Sequence, residues 1–240
     1  MTSFAPEIIF HVGPFPVTNT ILDTLLVDGI IITGVIYLSK KIKLVPDNPL
    51  QNLMEYVIEM FYGMVESVTQ HAAAKIFPYF MSFFLFILLV NWSALLPGVG
   101  TIGIREHGEL IPLLRGGTSD LNMTLGLALI SFFATHQLSI RATGIKEYLS
   151  RYFSFNPINL FVGILEIVSE ITKIVSLSFR LFGNIYAGEV VLVTMGSIFA
   201  YLLPLPFLTL ELIVGLVQAL VFSMLTMVGM AILTTSHKSH

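Results

Sequence analysis

The chain of 240 residues contains no cysteine, which excludes disulfide bonds, thiol catalysis and cysteine-ligated metals. Charged residues are also scarce, at 11% against the roughly 25% of a soluble domain. The net charge of -3 is small, so it favours neither nucleic acid nor an acidic partner. No long polar stretch, low-complexity tract or heptad repeat is present, and we therefore expect a single domain over 1–240.

Signatures of soluble catalysis are missing too. The sequence has no glycine-rich phosphate loop, no Ser/His/Asp set and no metal-ligand spacing, so we expect no cofactor, no metal and no hydrolytic chemistry by the chain alone. The first twenty residues lack the Lys/Arg cluster of a signal peptide, and the first helix is expected to be retained.

What the sequence has in excess is apolar surface. Hydrophobic residues make up 55% of the chain and its mean hydropathy is +0.86, which predicts an all-α integral membrane protein. Apolar runs long enough to cross about 30 Å of hydrocarbon predict spans at 17–38, 78–97 and 119–140. Segment 50–72 instead has its acidic residues at helical spacing, so a helix there has one acidic and one apolar face. This is typical of a helix lying in the membrane interface.

Two longer helical stretches follow, at 157–200 and 205–234, and "YLLPLPF" separates them. Forty residues of helix measure about 60 Å, twice the hydrocarbon thickness, so such a helix must tilt steeply, bend or break. The simplest arrangement is a hairpin of two steeply inclined helices. With the three shorter spans, this predicts about five membrane helices and one in-plane helix.

The orientation follows from where the lysines and arginines lie. The connections after the first and third spans hold most of them: Lys40, Lys41, Lys43, Lys75, Arg141, Lys146 and Arg151. The connection after the second span holds only Arg105 and Arg115, and the N-terminus holds none. We therefore expect the N-terminus outside and the C-terminus in the cytoplasm, in a cell (inner) membrane.

A polar stripe runs along the first long helix. At 100° per residue, the side chains within about 40° of Arg180 are those of Glu166, Ser169, Lys173 and Ser176, and Asn184 lies one turn further on. A charge at the bilayer centre costs about 2.5 to 3.5 kcal/mol, so this stripe must face water, a partner or another polar helix.

Glu189 lies about half a turn from Arg180, on the opposite face of the same helix. On the last helix, Glu211 and Gln218 share a face, and Gly215 leaves space between them. A hairpin would bring Glu189 and Glu211 level near its outer end, with Arg180 deeper. This order predicts two aqueous approaches with a permanently charged guanidinium between them.

Structural roles compete with these functional ones. The arginine and a glutamate could simply pair and hold the bundle together, and Glu166, Glu170 and Lys173 could form an interfacial network. His136, near a helix end, is expected to cap or to line an interface rather than to relay protons.

The segments "SLSFRLFGNIYAGE", "TSDLNMTLGLAL" and "LVQALVFSMLTMVGM" resemble the a subunit of the F-type ATP synthase membrane sector. The resemblance covers the chain from about Pro46 to the C-terminus. It implies an outer N-terminus, spanning helices, an in-plane helix and two long inclined helices against a ring of c subunits. It also implies b subunits of the peripheral stalk and the rest of the synthase as partners.

The resemblance also implies roles for individual residues. Arg180 matches the essential arginine that faces the ring carboxylate, with Asn184 and Gln218 beside it. Glu189 matches the carboxylate of the outer half-channel, whereas Glu211 stands where some members have a histidine, so a Glu/Glu pair sharing a proton is expected. The remaining matches are Glu166, Lys173 and Ser176 near the inner half-channel, and Asp120 and Asn122 in the polar "DLN" motif.

The function implied is proton translocation through two offset half-channels, coupled to rotation of the c-ring and to ATP synthesis. The subunit itself does not act on ATP. A secondary ion or anion transporter with an intramembrane arginine is the alternative, and it predicts inverted repeats that the sequence does not show. A purely structural membrane scaffold is a third possibility.

Overall fold

The computed structural model describes residues 6–43, 48–69, 72–96, 99, 102–106, 109–152, 157–198 and 204–234. Helices dominate, as expected of an all-α membrane protein. The seven helices formed by these residues are α1 (Asn19–Lys41), α2 (Pro49–Thr69), α3 (Ala73–Ser93), α4 (Leu121–Thr143), α5 (Ile145–Tyr152), α6 (Pro157–Ile198) and α7 (Pro204–Thr234).

Four of these helices are long and apolar enough to cross a membrane: α1, α3, α4 and α7. Helix α6 has 42 residues and therefore measures about 63 Å. It is not among the four, so a fifth span stays a prediction. Of the predicted turn "YLLPLPF" (201–207), the first three residues lie outside the described residues and the other four are the first residues of α7.

Two antiparallel hairpins were not expected from the sequence. Strand β1 (Ile8–Val12) pairs with β2 (Phe15–Thr18), and Gly13 lies between them at a φ of +61° that favours glycine. Strand β3 (Gly103–Glu106) pairs with β4 (Glu109–Pro112) inside the segment predicted to be an extramembrane loop. Both hairpins are too short to give the alternating pattern of a long strand.

Helix α5 also differs from expectation, because the sequence predicts only a basic loop there. Gly144 adopts a φ of +88°, and its amide donates to the carbonyl of Ile140 to close the end of α4. The amide of Tyr148 then donates to the carbonyl of Gly144, which starts α5. One glycine thus ends the spanning helix and allows a second helix to begin at once.

The chain divides into two compact units, and α3, α4, α6 and α7 contribute to both. The first unit comprises 1–41, 83–124 and 179–221, and the second comprises 42–82, 125–178 and 222–240. In the first unit, the indole of Trp92 donates to the carbonyl of Leu212 at 3.2 Å. In the second, the rings of Phe61 and Phe80 pack with centroids 5.6 Å apart.

Candidate functional site

Within the first unit, α6 and α7 run antiparallel where their polar residues meet. The amide of Asn184 donates to Gln218 Oε1 at 2.8 Å, and four residues later Gly188 lies against the carboxylate of Glu211. A Cβ on Gly188 would overlap that carboxylate. The absence of a side chain at 188 therefore creates the space that Glu211 occupies.

Glu189 is held by a cation that the sequence did not connect with it. Arg115, between β4 and α4, places Nε 3.2 Å from Glu189 Oε1, and its Nη2 donates to Oε2 at 3.4 Å. The Nε contact is an ion pair without hydrogen-bond geometry. Arg115 is only 8% exposed, so this charge pair is shielded from solvent on the arginine side.

Glu211 has a different environment from Glu189. Its residue is 8% exposed, and its carboxylate accepts no hydrogen bond from the residues that the structure describes. No hydrogen bond between Glu189 and Glu211 is found within this described part of the chain. The sharing of a proton between them stays a prediction, and Arg115 is the residue that sequence reasoning missed.

Arg180 and Asn184 lie on the exposed face of α6, while Gln218 is buried beneath Asn184. Phe179, next to the arginine, is exposed as well. Nine residues after Arg180, Glu189 turns toward Arg115, so the two predicted functional residues of α6 point in different directions.

The end of α3 lies against α7 between Glu211 and Gln218. The amide of Asn91 donates to the carbonyl of Gly215 at 3.0 Å, and the hydroxyl of Thr118 donates to Asn91 Oδ1 at 2.7 Å. A Cβ on Gly215 would come 3.1 Å from that of Asn91, which explains the small residue predicted to leave space there.

The "DLN" motif has a structural role at its first residue. Asp120 Oδ1 accepts from the amide of Asn122 at 2.9 Å and caps α4, while its Oδ2 accepts from Thr20 at 3.2 Å. The side chain of Asn122 is exposed. A second buried carboxylate, Asp23, accepts from Ser93 at 2.8 Å and from the amide of Gly117 at 3.3 Å, and no motif pointed to it.

The predicted inner residues lie in the second unit. Lys173 donates to Glu170 Oε1 at 2.7 Å, and Glu170 Oε2 lies 3.9 Å from His136 Nε2. Glu166 is partly buried and Ser176 is exposed. The structure thus assembles Lys173 with two residues to which the sequence assigned only structural roles.

Comparisons with known proteins show the family of the chain. The family model described as ATP synthase A chain matches residues 21–230. The ATP synthase subunit a of Moorella thermoacetica is 30% identical over 99% of this chain and 100% of its own length. The ATP synthase subunit a 2 of Pelobacter propionicus is 32% identical, over 94% of this chain and 90% of its own.

The ATP synthase subunit a 2 of a Bradyrhizobium species is similar at 31% identity, over 92% of this chain and 91% of its own. The match extends through all the segments on which the resemblance was based, and the prediction of the family is confirmed. The chain therefore belongs to the ATP synthase A chain family.

Proposed function

We propose that the chain forms two offset proton half-channels against a rotating ring of c subunits, and that Arg180 keeps the half-channels apart. Because the chain belongs to this family, it has the general role of an a subunit in proton translocation. The chain does not act on ATP itself. It couples proton flow to rotation, and rotation drives ATP synthesis elsewhere in the complex.

The observation that carries the proposal is the position of Arg180 on the exposed face of α6. A guanidinium keeps its charge at any physiological pH, and exposing it to lipid costs about 2.5 to 3.5 kcal/mol or more. A carboxylate on a partner subunit would offset that cost. Because arginine does not release its proton, it prevents direct proton exchange between the two channels.

Glu189 and Glu211 are the groups we assign to the outer half-channel. Glu189 is partly exposed at its ion pair with Arg115, so water can reach it. The carboxylate of Glu211, on α7, lies against Gly188, the residue before Glu189 on α6. Asn184 and Gln218 keep a hydrogen-bonded polar contact between the helices. We assign Glu166, Lys173 and Ser176 to the inner half-channel, and we keep Asp120 and Asn122 as the polar motif of the ion path.

The membrane arrangement that we propose has five spanning helices, with α6 and α7 as an inclined hairpin. The N-terminus faces outside and the C-terminus faces the cytoplasm, because the basic residues concentrate after the first and third spans. The exposed apolar side chains of α6 and α7 fit contact with c subunits and lipid. The b subunits of the peripheral stalk are further partners.

Replacing Arg180 with alanine tests the proposal. ATP-driven proton pumping is measured in vesicles that contain the whole synthase, with Arg141→Ala as a matched control because Arg141 is exposed outside the site. We expect pumping to be lost in Arg180→Ala and kept in Arg141→Ala. Unchanged pumping in Arg180→Ala would exclude a separating role and favour a scaffold.

A secondary transporter is not favoured by the family to which the chain belongs. Such a transporter would take up an anionic solute at Arg180 without the other synthase subunits. Uptake by vesicles holding this chain alone would support it.

A further inference from the structure

Four polar side chains of the second unit follow one another across three helices. Lys173 Nζ lies 2.7 Å from Glu170 Oε1 on α6, and Glu170 Oε2 lies 3.9 Å from His136 Nε2 on α4. The other ring nitrogen, His136 Nδ1, is 2.9 Å from the hydroxyl of Tyr148 on α5. We call Tyr148, His136, Glu170 and Lys173 the polar cluster.

Within the polar cluster, Glu170 and His136 are more buried than Lys173 and Tyr148 at its two ends. Glu170 is 9% exposed and His136 is 8% exposed, while Tyr148 is partly open. The Nε2 atom of His136 is buried and has no hydrogen-bond partner among the described residues, although it faces Glu170. Phe132 packs edge-on against the imidazole with centroids 4.0 Å apart, which fixes the ring between its two neighbours.

A cavity of about 10 Å³ adjoins Glu170 and Lys173 of the polar cluster. Its polar lining comes from Ser131, Thr135, Glu170, Lys173 and Thr226. The hydroxyls of Ser131 and Thr226 are 2.8 Å apart, and Thr135 already donates to the carbonyl of Ser131. The volume and the number of polar partners suit one water molecule.

An imidazole between two hydrogen-bonding groups can accept a proton on one nitrogen while it releases another from the second. Burial raises the pKa of the Tyr148 hydroxyl, so this group stays protonated at neutral pH and can pass a proton on. The charged and titratable groups around His136 and Tyr148 are Glu166, Glu170 and Lys173 of α6, and Arg151 and Tyr152 of α5.

We propose that Glu170, His136 and Tyr148 form the proton relay of the inner half-channel. The inference rests on the function proposed above. A proton reaches the carboxylate of Glu170 through the cavity water, and Glu170 Oε2 passes it to His136 Nε2 after a small approach of the two side chains. His136 releases its Nδ1 proton to the oxygen of Tyr148, and the original hydroxyl proton leaves to bulk water. Glu170 remains as a carboxylate beside Lys173, and one proton has crossed.

The test uses whole synthase in inverted vesicles, with proton pumping and ATP synthesis normalised to the amount of assembled complex. The variants are His136→Gln, which keeps a polar side chain but cannot relay, and Tyr148→Phe, which removes only the hydroxyl. The controls are His11→Gln in β1 and Tyr56→Phe in α2, both at exposed positions. We expect both relay variants to lose about tenfold or more in pumping, the size of a lost acid–base group, and both controls to pump normally.

A second measurement separates a relay from mere support of the fold. In His136→Ala, added imidazole should restore pumping, and the restored rate should rise with the neutral fraction of imidazole as pH increases. A purely structural histidine gives no such pH-dependent rescue. If His136→Gln does not assemble, Tyr148→Phe decides, since low pumping supports the relay and normal pumping overturns it.

Arg180→Ala in the same assay keeps the two proposals apart. Normal pumping by both assembled relay variants, with pumping lost in Arg180→Ala, overturns the relay and leaves the proposed function standing. Normal pumping in Arg180→Ala overturns the proposed function and the relay with it.

Discussion

Arg115 and Glu189 face each other through two pairs of atoms, Nε with Oε1 at 3.2 Å and Nη2 with Oε2 at 3.4 Å. The arginine comes from the segment before α4 and the glutamate from α6, so the pair joins elements 74 residues apart. A cation fixed beside this carboxylate sets where it points. Arg115 therefore positions the carboxylate of Glu189.

Loss of Arg115 should impair proton transport through Glu189. In Arg115→Gln, the partly buried carboxylate of Glu189 loses its cationic partner. In Arg115→Lys, Glu189 keeps a cationic partner but loses the planar two-point contact of the guanidinium. We expect ATP synthesis to fall strongly in the first variant and less in the second, with Arg141→Gln as an exposed control.

A double-mutant cycle shows whether the effect runs through Glu189. Glu189→Gln alone should lower synthesis, and adding Arg115→Gln should lower it little further, because the partner is already gone. Fully additive losses in assembled complex would show that Arg115 acts elsewhere.

Gly188→Ala should inactivate the subunit, because the added methyl group would overlap the carboxylate of Glu211. Gly183→Ala is a matched control on the same helix, since a Cβ there meets no atom within 4 Å. The measurement is ATP-driven pumping per assembled complex. Equal pumping in the two variants would contradict the close approach of Glu211 to α6.

Glu211→Gln should reduce ATP synthesis and change its dependence on pH, because an amide of the same shape cannot bind or release a proton. Glu211 is buried against Gly188, so the substitution should leave the packing intact and affect the chemistry. If neither the rate nor its pH profile moves, Glu211 is not on the proton path.

Asp23→Ala should destabilise the first unit, because it leaves the buried Gly117 amide without its acceptor and leaves the Ser93 hydroxyl only the carbonyl of Val90. Buried donors left unpaired cost about 1 to 3 kcal/mol. We expect less assembled subunit and a lower temperature of complex dissociation. Asp28→Ala, five residues along α1 and less buried, is the control and should show neither change.

The helices could be predicted largely from the sequence, because apolar length and helical periodicity are local properties. The polar face of α6 is equally local, since angular position follows from residue number alone. The short elements were not predicted, because they are too short to show such a local pattern. Helix α5 depends on the turn at Gly144, and the eight residues of α5 or the four of each strand in β3–β4 carry too little pattern to predict.

Glu211 and Gly188 mark the boundary of what the sequence could indicate. Glu211 was expected level with Glu189 across the hairpin, but the fit of its carboxylate into the space over Gly188 depends on the packed helix pair.

By itself, then, the sequence determined that this is a helical membrane protein of the family and that Arg180 and Glu189 lie on opposite faces of one helix. The tertiary structure decided the partners, giving Arg115 to Glu189, and Glu170 and Tyr148 to His136. Helical geometry fixes a direction around one axis, whereas the group met in that direction comes from a distant segment brought there by packing.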